Sequence, residues 1–209
     1  MFDLFQHMAA FAVSSAIFAM APGIDTVFVI NRSLSGGRRA ALAAALGINV
    51  GCMVHVLIGA FGLSAFLATS PEAMTAVKLA GAAYLLWLGI RAISSRAPVC
   101  GTLDVERSTA SAFDAFRSGV IADVLNPKAA LFVLSFFPQF LTQQAVGSPA
   151  AFITLGVLYT LISLAWYIPL ALCVSSAGSR LLAKPAFNRW SGKATGLVFV
   201  LLGLQVAAG

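Results

Sequence analysis

The feature that most constrains this chain is a series of long apolar runs, each broken off by a few polar or basic residues. Six such segments can be read, roughly 4–31, 40–68, 72–93, 113–142, 149–176 and 186–208. A helix that crosses a bilayer needs about 20 mostly apolar residues, and each of these runs is long enough. Between them stand Ser33-Leu34-Ser35-Gly36-Gly37-Arg38-Arg39, Thr69-Ser70-Pro71-Glu72, a polar stretch near 94–112, Gly147-Ser148-Pro149 and a basic connection near 177–193. The expectation is an all-α membrane protein of six transmembrane helices. Hydrophobic residues make up 60% of the chain and charged residues 10%. A soluble domain carries about 25% charged residues, and one this apolar could not cover its surface with polar groups. The net charge of +6 does not point to nucleic acid, because the basic residues sit in short clusters between apolar runs.

Those clusters orient the chain. Arg32, Arg38 and Arg39 fall in the first connection, Arg91, Arg96, Arg107 and Arg117 around the third, and Arg180, Lys184, Arg189 and Lys193 in the fifth. The second and fourth connections carry none. Eleven of the thirteen basic residues therefore lie on one side of a six-helix layout, and that side is expected to be cytoplasmic. Both termini then face outward. Residues 1–7 contain no Lys or Arg, so the first apolar run is expected to be a membrane helix rather than a cleaved signal. The chain is expected to form one transmembrane domain, 1–209, with halves 1–95 and 112–209 joined by a linker at 96–111.

The two halves share landmarks. The first segment is interrupted at Pro22-Gly23 and the fourth at Asn126-Pro127; the second and fifth carry no Lys, Arg, Asp or Glu. Three helices per half make the halves enter the membrane from opposite sides. This is the inverted-repeat plan of many secondary transporters, whose sites lie at interrupted helices. Helices 1 and 4 are therefore expected to be the broken ones.

The charges inside the apolar runs collect at these breaks. Asp25 follows Pro22-Gly23; Asp123, Asn126 and Lys128 surround Pro127. A charge at membrane depth costs about 3 kcal/mol even on insertion scales, so such residues face a cavity or a partner. Asp25 can serve cargo or a proton, or merely cap the half-helix behind the break. Asp123 and Lys128 can take part in a site or form an internal ion pair that holds the break together. Asn126 is placed to cap the half-helix starting at Pro127. A carboxylate can hold an ammonium, and a lysine or free helix N–H groups can hold a carboxylate. Both in one cavity suit an amino acid, and the carboxylates can also carry protons. Gly47, Gly51, His55 and Gly59 share a helical face, where the glycines suit close packing within or between subunits. His55 reads either as a packing residue or as a polar lining.

Other chemistry finds no support. The chain has no phosphate-binding glycine loop, no zinc-ligand spacing and no Gly-x-Ser-x-Gly elbow. Neither an enzyme, a cofactor nor a metal site is expected. Cys52, Cys100 and Cys173 have no redox or metal spacing and read as small apolar fillers.

Several runs resemble one known family. Ala21-Pro22-Gly23-Ile24-Asp25-Thr26 is similar to the Pro-Gly-Pro-Asp signature of the LysE/RhtB family of bacterial amino-acid exporters, with Ile24 in place of the second proline. Ser33 to Leu42, the Gly47-Gly51-His55 face, Lys78 to Gly89, Asn126-Pro127-Lys128-Ala129-Ala130-Leu131-Phe132 and Pro138-Gln139-Phe140 continue the resemblance in order along nearly the whole chain. It implies a multi-pass transporter of the bacterial inner membrane that expels amino acids or close derivatives, of the homoserine, threonine or branched-chain type, by proton antiport. Asp25, Asn126 and Lys128 are the leading candidates for substrate or proton binding, with Asp123 and His55 behind them. Distant relatives of the family carry metal cations, which makes a metal-cation exporter the alternative.

Overall fold

The computed structural model describes residues 8–21, 23–63, 71–94, 111–142, 145, 147–177 and positions 193, 196, 197, 200, 201, 203 and 204. Pro22, the linker up to residue 110 and most of the fifth connection lie outside them, as does the side chain of Lys78. The described elements are α1 (Met8–Met20), α2 (Ile24–Ile58) with a π-helical turn (Gly59–Leu63), α3 (Pro71–Ser94), α4 (Ala112–Val124), α5 (Pro127–Phe136) with a 3₁₀ turn (Phe137–Phe140), and α6 (Pro149–Ala177). The described residues between 193 and 204 are helical too.

α1 and α2 are separated at residues 21–23, and α4 and α5 at residues 125–126. α4 and the α5–3₁₀ run are bent by 57° at that break, and together they are long and apolar enough for one span. Ile24–Leu63 and Pro149–Ser176 are continuous helices long and apolar enough to cross a membrane. Forty residues of helix are about 60 Å long, twice the hydrocarbon thickness, so α2 must be divided. The division falls at Gly37, which alone leaves helical geometry with φ 65° and ψ −164°.

Here the structure differs from the sequence reading, which closed the first segment at residue 31 and treated 33–39 as a polar connection. Ser33 to Gly36 stay helical. The Ser33 hydroxyl donates to the Val29 carbonyl at 2.7 Å and Ser35 to the Asn31 carbonyl at 2.9 Å, so these polar side chains are satisfied without unwinding the helix. The Gly37 conformation belongs to a region almost closed to residues with a Cβ. Gly37→Ala is expected to cost about 1–3 kcal/mol although no neighbour crowds the site. A thermal melt of the purified variant in detergent checks this, and an unchanged midpoint would contradict it.

Helices distant in sequence interlock. α2 packs along α4 and α6, α1 against α6, and α3 against α5. α1 buries Phe11, Ser14, Ser15, Phe18 and Ala19, one face at helical spacing. Its two phenylalanines enter an aromatic core with Phe132, Phe136, Phe137, Phe140, Phe152 and Tyr159. Phe18 stacks on Phe132 with ring centroids 3.6 Å apart, and Phe11 meets Phe137 edge-on at 5.3 Å. Glycines on both helices hold the crossing of α2 and α4. A Cβ at Gly47 would fall on the Phe116 carbonyl, and one at Gly119 would stand 2.8 Å from the Ala44 carbonyl. Much of the outside is apolar: Leu125 is 74% exposed and Phe113 70%. Lipid can solvate such a surface and water cannot.

Candidate functional site

The site is built where the two helix breaks meet. At the first, Gly23 is extended (φ −165°, ψ −168°) and precedes α2 without a side-chain cap. Asp25 lies in the first turn of α2, where the helix dipole favours a carboxylate. It is not the cap that the sequence allowed it to be. Its carboxylate reaches across the molecule instead, and its Oδ1 accepts from Asn126 Nδ2 at 2.9 Å, 101 residues away in sequence.

At the second break Asn126 takes the capping role expected of it. Its Oδ1 accepts from the Lys128 backbone N–H at 3.0 Å, and Pro127 at the first helical position has no N–H to satisfy. The one amide therefore uses its oxygen to start α5 and its nitrogen to hold Asp25. Asn126 is 1% exposed, Asp123 2% and Asp25 5%. Asn126→Ala removes the cap and leaves Asp25 Oδ1 without that donor. The expected loss is roughly 2–4 kcal/mol of stability, read from the thermal melt of the purified variant. A melt within experimental error of the parent would show that the bridge is not formed.

Lys128 is half-buried and reaches from the start of α5 to the first break. Its Nζ donates to the Ala21 carbonyl at 3.1 Å and stands 4.5 Å over the Phe18 ring. Helix α1 ends at Met20, and the Ala21 carbonyl lies just past that end, where the helix gathers partial negative charge. Gly23 leaves room for the ammonium, since a Cβ there would stand 3.0 Å from Lys128 Nζ.

Asp123 completes the acidic side. Its carboxyl lies beside that of Asp25, and its Oδ2 has no hydrogen-bond donor among the described residues. A Cβ on Gly51 would stand 2.8 Å from Asp123 Cβ, so the glycine face of α2 is what admits this side chain. His55, one turn further on, donates from Nε2 to the Asp123 carbonyl at 3.0 Å. It touches the backbone of the break and not the carboxyl. From α6, Tyr159 approaches Phe18 and Phe132 with centroids 6.3 and 5.5 Å away, and Tyr167 faces Thr26 beside Asp25.

The structure thus brings Asp25, Asp123, Asn126 and Lys128 into one buried cluster, with His55 at its edge and Gly23 and Pro127 at its breaks. Sequence reasoning did not single out Phe18 or the Ala21 carbonyl. A signal for the carbonyl existed, because any helix ending at Pro22-Gly23 strands its last acceptors. Nothing in the sequence marked Phe18 among sixteen phenylalanines. Among the described residues, no three His, Cys, Asp or Glu side chains converge as a metal-ligand set.

An apolar exterior around charges gathered at two helix breaks is the build of a membrane transport protein, not an enzyme. The chain belongs to the LysE type translocator family, whose model matches residues 16–209. It is 35% identical over 148 residues to an uncharacterised membrane protein of Vibrio cholerae, covering 71% of each chain. It is 28% identical over 207 residues to the homoserine/homoserine lactone efflux protein of Salmonella typhimurium, covering 98% of this chain and 97% of that one. A Bacillus subtilis membrane protein, YrhP, is 27% identical over 209 residues, covering 96% of this chain and 98% of that protein. No solved structure matches significantly.

Proposed function

We propose that this translocator exports an amino acid or close derivative, of the homoserine, threonine or branched-chain type, across the bacterial cytoplasmic membrane in exchange for protons. The observation that carries the reading is the Asn126 bridge. It places an acidic pole, Asp25, beside a basic pole, the N-terminus of α5 with Lys128, inside one buried cluster. A zwitterion needs both poles within its own length. Asp25 takes the cargo's ammonium; Lys128 and the start of α5 take its carboxylate. The near-full-length likeness to a homoserine/homoserine lactone efflux protein supports this class of cargo.

Asp25 and Asp123 serve the coupling. A proton held between two adjacent carboxyls gives Asp123 Oδ2 the donor it lacks, and the arrival of the cargo's ammonium releases that proton. His55 positions the break through the Asp123 carbonyl. In this reading the chain has six membrane helices in two inverted halves, 1–95 and 112–209, with a linker at 96–111. The basic connections lie in the cytoplasm and both termini outside. The matching order of cap, first and second helical residue at Gly23-Ile24-Asp25 and Asn126-Pro127-Lys128 supports the repeat.

The test is efflux from cells preloaded with a panel of labelled amino acids, with and without the protein, before and after a protonophore. Faster efflux of a subset that stops when the gradient collapses is the expected result. Efflux of none, from cells whose membranes contain the folded protein, would remove the amino-acid reading.

A further inference from the structure

Lys128 carries its charge at the unfavourable end of its own helix. It is the second residue of α5, where free N–H groups already contribute positive partial charge. Groups outside α5 offset this. The Ala21 carbonyl accepts from the ammonium at 3.1 Å, the Phe18 face lies 4.5 Å away, and the Asp25 carboxylate acts on it within the same cluster. The ring is held in place, stacked on Phe132 at 3.6 Å and flanked by Tyr159. Gly23 adds the space, and its extended backbone is one that any residue adopts, so room for the ammonium is what the missing side chain provides. A helix-end carbonyl, an aromatic face and a carboxylate recognise primary ammonium groups in general. Nothing in the set is particular to lysine.

We propose that Phe18, Ala21, Gly23 and Asp25 form a seat for a primary ammonium, which Lys128 fills from within and yields to the ammonium of the cargo. The last step rests on the amino-acid reading above; the seat itself does not. Once displaced, the Lys128 charge is free to meet the cargo's carboxylate, so one exchange sets both poles of a zwitterion. A molecule whose amine is acylated cannot make the exchange. Because the competitor is tethered, cargo must reach a concentration that outcompetes it before export begins.

The probe is n-butylammonium chloride, which has the chemistry of the lysine side chain. It is titrated into purified protein in detergent at constant ionic strength, with KCl and n-butanol as controls and the thermal midpoint as readout. Lys128→Ala is expected to be stabilised saturably by n-butylammonium and by neither control. The intact protein should bind it at least about tenfold more weakly, since its seat is already filled. Adding Phe18→Leu to Lys128→Ala should weaken the binding about three- to thirtyfold. If Lys128→Ala aggregates when purified in KCl, purification in n-butylammonium chloride should return it monodisperse. Equal responses of Lys128→Ala and the intact protein, or failure of that rescue, would overturn the proposal. The assay involves no transport. Rescue without amino-acid efflux leaves the seat standing and removes the export reading; efflux without rescue does the opposite.

Discussion

Asp25→Asn is expected to lower amino-acid efflux about ten- to a hundredfold at subsaturating cargo while leaving the protein in the membrane. The substitution keeps the shape of the side chain, and its amide oxygen can still accept from Asn126 Nδ2. What disappears is the negative charge. A hydrogen bond to a charged group contributes about 1.5–3 kcal/mol, which sets the size of the loss. Lys128 then keeps the Ala21 carbonyl and the Phe18 ring but loses a carboxylate neighbour. Removing one member of a buried set of charges costs about 3–5 kcal/mol when the other is left uncompensated, so stability should fall as well. The double variant Asp25→Asn with Lys128→Met separates the two effects. Removing both charges should recover most of the stability and none of the efflux. Full-rate efflux by Asp25→Asn at matched expression would take Asp25 out of the mechanism.

A large effect on folding, with no change of charge, is expected from Gly47→Val. A Cβ at this position meets the Phe116 carbonyl, and the obstacle is helix backbone, which cannot swing aside as a long side chain can. α2 and α4 must separate along the contact that also brings Gly51 against Asp123. Overpacking of this kind costs about 1–3 kcal/mol where the surroundings can relax, and a backbone-to-backbone crossing belongs at the upper end. For a chain of this length the midpoint should fall by roughly 6–12 °C. Gly62→Ala is the control, since no atom lies within 4 Å of the added Cβ, and its midpoint should not fall. Equal midpoints for Gly47→Val and the parent would mean that α2 and α4 do not cross here.

The role of the glycine face was legible in the sequence because spacing alone puts Gly47, Gly51 and His55 on one side of a helix. Its partner was not, since nothing local says which helix a face will meet. Gly37 is a similar case. Gly36-Gly37 could be marked as punctuation, but which residue would turn, and that Ser33 and Ser35 would stay helical by bonding back to Val29 and Asn31, depended on the hydrogen bonds formed.

The sequence by itself determined the class of molecule and the places where its helices break. Apolar runs of membrane length, basic residues gathered between them, and Gly23 and Pro127 beside buried charges are all local facts, each with a local physical consequence. Only the tertiary structure decided who partners whom. Asp25 stood where it could cap its own helix, and nothing local pointed Lys128 to the first break. Both instead reach the opposite break, to Asn126 and to Ala21. The reason is that a buried charge takes the best partner within a few ångströms, and that distance is set by how helices distant in sequence interlock, not by position along the chain.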